Sequence, residues 1–429
     1  MMDGIPDIEL PPRDNNRRET LKTIASAITG SALLSTLPWL SPLKAAPAGK
    51  SPSDKVRLGL IGTGSRGQYL EEHLLKTPGA EIAALCDVYP PHLQAAQQKI
   101  GKPVTHYKDY RHLLDDKSVD AVIIATPLYL HAPMCLDALA AGKHVFCEKS
   151  LALTIPECKA VARTASQSPK VFQIGHQRLF HRATLYALQQ VKAGDLGPIT
   201  QIRAYWHRNV NWRRPVPSPE LEMLLNWRVH RKYSAGLMTE LASHHLQVAN
   251  WFLDSPPLAC IGYGSINYWK DGRDVFDNVN VIYKYPKGVS FIYDSLSSNR
   301  FYGLELQIMG PKGTLELETA KFYAENPPPA PGIIQLINQI ERGTLESVAL
   351  ADRSWVPDLK KDTKGTPLPE DPDHDDGTGL SMAAFVNAVR LGEKSPAMIE
   401  HAYRSGVAAL MGVIAMEEGR EVAWPGGYA

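Results

Sequence analysis

The stretch that most constrains this chain is Gly62-Thr63-Gly64-Ser65-Arg66-Gly67. It follows the apolar run KVRLGLI (55–61) and precedes a helical pattern that continues through Leu75. A glycine-rich turn between a buried strand and a helix lets backbone N–H groups and the helix N-terminus meet a pyrophosphate. A lone GxGxxG is a weak signal, but a second strand, EIAALCD, ends at Asp87, 20 residues after Gly67. An acid there accepts hydrogen bonds from adenosine ribose hydroxyls and repels a 2′-phosphate. The expected cofactor is NAD rather than NADP, held by Gly62, Gly64, Ser65, Arg66, Gly67 and Asp87. Arg66 is the residue that would soften the preference.

More βα units follow. VDAVIIATP reads as a strand ending at Thr126-Pro127, HAPMCLDALAAG as a helix closed by Gly142, and KHVFCEK as a strand ending at Glu148-Lys149. This alternation predicts an α/β fold with a doubly wound parallel Rossmann sheet and ligand at the carboxyl ends of the strands. Thr126, Pro127, His131, Glu148 and Lys149 are therefore expected beside the cofactor. After Gln173 the pattern changes. ITQIRAYWHR, ACIGYGSINYW, NVNVIYKYPKGVSFIYDS and LELQIMGPKGTLELE read as strands. Val279, Val281, Tyr283 and Tyr285 alternate with Asn280, Ile282 and Lys284, the period of a half-buried strand. A second α/β domain with a large, open, mostly antiparallel sheet is expected. The boundaries read as a leader at 1–48, a dinucleotide domain at 54–175 and a substrate domain at 176–425, whose C-terminal helices pack back. Residues 325–334 break regular structure, and 357–378 read as acidic, proline-rich loop.

With 429 residues the chain suits two domains. A net charge of +1 argues against nucleic acid as a partner. No apolar run reaches the roughly 20 residues of a membrane span. Cys86, Cys135, Cys147, Cys158 and Cys260 form no CxxC pair, so neither a disulfide framework nor a metal site is expected. At the start, Arg17-Arg18 precedes a moderately apolar stretch from Thr23 to Leu40, then Lys44 and Ala46-Pro47-Ala48. Charged start, apolar middle and small-residue exit make an export signal. It resembles the twin-arginine pattern, with Thr20 where Phe is usual. That route carries folded proteins, so a cofactor can travel inside. The expected location is periplasmic or otherwise exported, with membrane attachment if the signal is uncleaved.

Within SAGLMTELASHHLQVANWF, Glu240 and His244 are four apart and share a face of a regular helix. A carboxylate holding one imidazole nitrogen fixes the tautomer, and the other nitrogen can take a proton from a hydroxyl while hydride leaves the same carbon. His245 is rotated about 100° on a helix and is expected to pack or cap.

GLIGTGSRG, ATPLYLHAPMCLDALAAGKHVFCEKS and GLMTELASHHLQVANWFL together resemble the Gfo/Idh/MocA oxidoreductase family, from about Val56 to Trp424. The resemblance implies a nucleotide-binding domain joined to an α/β domain with a large open sheet, acting on sugars, cyclitols and their derivatives. It matches His244 to the catalytic histidine, Glu240 to an aspartate one turn earlier, and Lys149 to the lysine of an EKP motif. The chain departs from the pattern at Glu240, at Gln247, where an aspartate is common, and at Ser150, which replaces the proline.

GHQRLF (175–180) and YWHRNVNWRR (205–214) cluster aromatic and polar groups of the kind that bind sugars. Gln177, Arg178, Trp206, Arg208, Trp212, Trp227, Arg228 and His245 are the candidate substrate contacts. The leading reading is an exported oxidoreductase with tightly bound NAD acting on a carbohydrate hydroxyl. The alternative is an NAD-dependent glycoside hydrolase that oxidises its sugar transiently, as exported glycosidases of the same superfamily do. A third class is a non-catalytic dinucleotide-binding protein. Self-association through the open sheet is also expected.

Overall fold

The computed structural model describes residues 55–325, 365–368 and 375–428. The expected leader, nearly all of the 325–334 break and most of the 357–378 loop lie outside the described residues.

Six described strands form the first sheet: β1 (Val56–Ile61), β2 (Ala80–Cys86), β3 (Thr105–Tyr107), β4 (Ala121–Ile124), β5 (His144–Cys147) and β6 (Phe172–Ile174). Their order is β3-β2-β1-β4-β5-β6 and every pair is parallel. This is the doubly wound arrangement, whose order reverses between β1 and β4 and opens a crevice there. Strand β4 is an unbroken buried apolar run, and β1 and β5 are buried throughout except at Arg57 and His144, because helices cover both faces of the sheet. Those helices are α1 (Ser65–Lys76), α2 (Pro90–Ile100), α3 (Tyr110–Asp115), α4 (His131–Ala140) and α5 (Ile155–Gln167). Strands β3 and β6 are three residues each, too short to announce themselves by periodicity.

The chain then runs through α6 (Arg182–Ala193), α7 (Ser243–Phe252), α8 (Thr378–Leu391) and α9 (Pro396–Glu418). The second sheet comprises β7 (Gln201–His207), β8 (Ala259–Ser265), β9 (Asn278–Lys284), β10 (Ser290–Leu296), β11 (Leu304–Gly310), β12 (Gly313–Glu316), β13 (Lys321–Ala324), β14 (Thr366–Pro367) and β15 (Val422–Ala423). Its order is β14-β13-β12-β11-β7-β10-β9-β8-β15; β7 and β10 pair in parallel and the other pairs are antiparallel. The short β14 falls within the stretch expected to be loop.

Along β9, Val279, Val281 and Tyr283 are buried while Ile282 is half exposed, as the alternation requires. The buried face carries α7 and α9, and the Tyr283 hydroxyl donates to the Ala408 carbonyl of α9 at 2.9 Å. The other face shows Ile261, Tyr263 and Ile282 to solvent.

Helix α8 returns to the first domain. Met382, Phe385 and Val386 join Leu58, Leu60, Leu70 and Phe146 in one core cluster. All five cysteines are buried and unpaired. Among the described residues no helix is long and apolar enough to cross a membrane, and no group of His, Cys, Asp and Glu side chains is placed to hold a metal ion.

Candidate active site

A cleft of about 1130 Å³ opens at the carboxyl ends of the first sheet and reaches across to the π turn before α7. Gly62 and Gly67 let the chain turn there. Gly62 has φ +89°, and a Cβ on it would lie 2.7 Å from the Ala125 carbonyl oxygen. A Cβ on Gly67 would lie 2.0 Å from the Gly62 carbonyl oxygen, so Gly67 packs behind the turn while Gly62, Gly64, Ser65 and Arg66 line the cleft. The glycines thus allow the tight turn that brings backbone N–H groups to the cleft, as a pyrophosphate-binding turn requires.

Asp87 lines the cleft just past β2. It accepts from the Thr63 amide at 2.8 Å, the Thr63 hydroxyl at 3.2 Å and the Tyr89 amide at 2.9 Å, and His92 Nδ1 lies 3.4 Å away. Burial alone would raise its pKa, but the hydrogen bonds from His92, Tyr89 and Thr63 outweigh that and hold it below the usual carboxylate value. Arg66 is not free. Its Nε donates to Glu148 Oε1 at 2.8 Å, and the Glu148 side chain is nearly buried.

Thr126, Pro127, His131, Glu148 and Lys149 all line the cleft, as their positions after strand ends predict. His131 acts as a strut: its Nδ1 lies 2.7 Å from the Ser150 carbonyl oxygen and its Nε2 2.9 Å from that of Thr126. The ring thereby ties the loop after β4 to the segment carrying Lys149. The Lys149–Ser150 peptide is cis. Burial pushes the Lys149 ammonium below its ordinary pKa, against the pull of Glu240 and Glu148.

The segment before α7 departs from the expected regular helix. Met238–Ala242 forms a π turn, with i→i+5 pairing in place of i→i+4. Two of its carbonyls also accept from the loop after β5. Lys149 Nζ donates to the Glu240 carbonyl at 2.8 Å and Ser150 Oγ to the Thr239 carbonyl at 3.0 Å.

The Glu240 carboxylate accepts from Arg228 Nε at 3.0 Å and makes no hydrogen bond to His244. The expected Glu240–His244 pair is therefore corrected. The π turn breaks the four-residue register, and an arginine claims the carboxylate. Burial would raise the Glu240 pKa, yet the Lys149 and Arg228 charges hold it below the usual value.

His244 lines the cleft with a small exposed edge, and burial together with the Lys149 charge keeps its pKa well below that of a free histidine. Its ring lies 5.7 Å from that of His176 and 5.9 Å from that of Trp206, centroid to centroid.

The substrate candidates divide. Gln177, Trp227 and Arg228 line the cleft, with the Arg228 guanidinium stacked over Trp227 at 4.3 Å. Arg178 is paired with Glu318. Arg208 stacks over Trp206 at 4.8 Å, outside the cleft lining, and Trp212 packs on the core. His245 is fully buried between Trp206 and Tyr293, so it packs, as its rotation on the helix predicts, and is removed from the substrate set. Sequence reasoning missed the Lys108–His112 stretch and the Leu224–Leu225 pair, which also line the cleft, as does Arg214 at the end of the 205–214 cluster. The first follows β3, whose brevity hid the strand end; the second lies in the four-residue helix Glu222–Leu225, too short to give a periodic signal.

Two family models match the chain. One, described as "Oxidoreductase family, NAD-binding Rossmann fold", covers residues 56–176, and the other, "GFO/IDH/MocA C-terminal domain", covers 184–316. The chain belongs to the Gfo/Idh/MocA family.

Curated relatives within reach of this family match include a "Glycosyl hydrolase family 109 protein" of Shewanella pealeana. It is 34% identical over 217 residues, which is 46% of this chain and 47% of that protein. An "Alpha-N-acetylgalactosaminidase" of Shewanella oneidensis is 34% identical over 166 residues, 37% of this chain and 36% of that protein. The chain spans less than half the length of these relatives.

Solved structures with the same fold include myo-inositol 2-dehydrogenase from Lactobacillus plantarum, at TM-score 0.64 and 22% identity, covering 86% of this chain and 99% of that one. Levoglucosan dehydrogenase in complex with NADH and levoglucosan aligns at TM-score 0.67 and 19% identity, covering 87% and 100%.

Proposed function

We propose that this protein binds NAD and oxidises a hydroxyl-bearing carbon of a carbohydrate, with His244 as the base and Lys149 beside the reacting oxygen. The observation that carries the reading is the meeting of the glycine turn, Lys149 and His244 in one cleft. The residues present fit the cofactor. Gly62 and Gly67 let the turn close tightly against the backbone of Ala125 and of Gly62 itself, where any Cβ would collide, and the Asp87 carboxylate is held ionised at the mouth of the turn. Asp87 repels a 2′-phosphate, and Arg66, the nearest guanidinium in the turn, is engaged by Glu148. Both favour NAD over NADP.

The nicotinamide supplies the hydride acceptor when bound. His244, kept neutral by its surroundings, takes the hydroxyl proton. Lys149, anchored on the Glu240 carbonyl, stabilises the negative charge that develops on the oxygen. Neighbours of the same fold carry names of dehydrogenases for inositols and for levoglucosan, which supports a polyhydroxylated substrate.

The names of the curated relatives favour a second reading, glycoside cleavage through transient oxidation. A ketone formed on the sugar acidifies the adjacent C–H, the glycosidic bond leaves by elimination, water adds, and the ketone is reduced again, so the cofactor ends oxidised.

One experiment separates the readings. NAD-loaded full-length protein is mixed with myo-inositol, levoglucosan and p-nitrophenyl α-N-acetylgalactosaminide while absorbance is followed near the reduced-nicotinamide band and at p-nitrophenolate. A lasting reduced signal supports the dehydrogenase, and p-nitrophenol release with the cofactor oxidised at the end supports the glycosidase. His244→Ala is expected to slow the reactive step by about 10²–10⁴-fold and Lys149→Ala by about 10²–10³-fold, with NAD binding by calorimetry intact. Full activity in His244→Ala sinks the base assignment.

We also assign residues 1–48 to twin-arginine export of the folded, cofactor-loaded chain. Cell fractionation with Arg17 and Arg18 both replaced by Lys tests this. The face bearing Ile261, Tyr263 and Ile282 is assigned to self-association, which light scattering on Tyr263→Glu would test.

A further inference from the structure

With Glu240 held by Arg228, His244 is left without the carboxylate that a histidine base usually leans on. The nearest ring is His176, which lies two residues past β6 and is 1% exposed. The two imidazoles stand nearly perpendicular, 5.7 Å between centroids and 84° between planes.

His176 is itself anchored. Its Nε2 lies 3.0 Å from Ser405 Oγ on α9, and that hydroxyl donates its own hydrogen to the His401 carbonyl at 2.7 Å. With its hydrogen on that carbonyl, Ser405 accepts from the imidazole, the arrangement that matches the His176 tautomer with its ring hydrogen on Nε2. The opposite nitrogen, Nδ1, is then a bare lone pair, and it is buried with no hydrogen-bond partner. A buried polar atom with no partner is costly in a native fold and calls for a function.

We propose that His176 is the positioning residue for His244: its unpartnered Nδ1 receives the N–H of the His244 ring when that ring takes up the substrate proton. The inference rests on the reading of His244 as base. In the step, the substrate O–H bond breaks and an N–H bond forms on His244, hydride leaves the same carbon for NAD, and the C–O bond becomes a carbonyl. The second N–H of the new imidazolium turns to His176, and no proton need travel further.

The groups acting on His244 are Lys149, His176, Arg178 and His245; those acting on His176 are Lys149, His401 and Arg178. These are cations and neutral rings, so His244 stays a weak, neutral base rather than a carboxylate-supported one. A neutral acceptor orients the ring without raising its basicity as a carboxylate would.

The test uses full-length protein with ¹⁵N-labelled imidazoles, titrated by long-range ¹H–¹⁵N NMR, with His244→Asn to assign the reacting ring. His176 is expected as the Nε2–H tautomer throughout. His176→Asp places a carboxylate beside His244 and is expected to raise its titration midpoint by at least about one pH unit, tenfold in proton affinity. The acidic limb of kcat should move upward with it. His176→Phe is expected to lower kcat about tenfold with KM unchanged. Ser405→Ala, which leaves both rings in place, should let His176 sample the other tautomer and lower kcat more mildly, and it serves if a His176 variant misfolds. A His244 midpoint and kcat unmoved in both His176→Asp and Ser405→Ala overturn the proposal even where His244→Ala is inactive. Activity retained in His244→Ala overturns the base assignment instead, whatever the NMR coupling shows.

Discussion

Glu71 points from α1 into the first domain, fully buried, with neither carboxylate oxygen hydrogen-bonded. Burial raises its pKa to about 7, with Lys99 pulling it down and Glu72 pushing it up. A carboxyl whose folded pKa exceeds its unfolded value binds the extra proton in the folded state. Its contribution is favourable below the unfolded pKa, declines as pH rises from about 4.5 to about 7, and stays low above that. Glu71→Gln mimics the protonated form. It is therefore expected to raise Tm at pH 8 and change it little at pH 5, read by scanning calorimetry at both. An equal gain at the two pH values would place the charge in water instead. The same physics explains why Asp87 titrates in the opposite direction: three hydrogen-bond donors surround it and none serves Glu71. Sequence position distinguishes the two acids only in part. Asp87 is marked by its place after a strand, whereas Glu71 looks like an ordinary exposed helix residue beside Glu72.

At the scale of elements, the unit that builds the site is the junction between the loop after β5 and the π turn Met238–Ala242. Lys149 and Ser150 donate to two carbonyls of the turn, those of Glu240 and Thr239. Ser150→Ala removes one donor to the Thr239 carbonyl, which still accepts from Ser243 Oγ at 2.8 Å. The expected cost is about 0.5–1.5 kcal/mol in urea unfolding, with kcat falling more than KM rises because Lys149 loses its neighbour's anchor. Unchanged stability and kcat would mean the loop holds itself. This junction was half legible in the sequence. Gly62 through Gly67, Asp87 and the strand-end residues Thr126 to Lys149 were readable because periodicity and spacing are local. The π turn was not, because the four-residue spacing of Glu240 and His244 fits a regular helix just as well, and only tertiary partners such as Arg228 decide otherwise. His176 was quoted within GHQRLF, but its link to Ser405 spans 229 positions and leaves no local trace.

Across the whole molecule, the two sheets do not make two independent cores. Helix α8 brings Met382, Phe385 and Val386 into the cluster under β1 and β4, and the Phe146 and Phe385 rings lie 5.7 Å apart. Helix α9 packs against α5 and β6 as well as α7 and β8. The full chain is thus expected to unfold in a single calorimetric transition that rises with added NAD. A fragment ending at residue 176 should bind ANS and lack near-ultraviolet dichroism, because its core is open where α8 belongs. Two separated transitions, or a well-packed fragment, would show that α8 only decorates the first domain. The first family match ends at 176, inside a shared core rather than at the edge of one.

The return of α8 also sets an order in time. The six strands that shape the nucleotide crevice leave the ribosome first, yet the helix that seals their underside is made about 215 residues later. At ~5–20 residues per second that is a wait of roughly 10–40 s. Through that interval Leu58, Leu60 and Phe146 lack the apolar cover that α8 gives them in the finished chain. A chain released before α8 is made is therefore expected to hold a dinucleotide more weakly than the finished one.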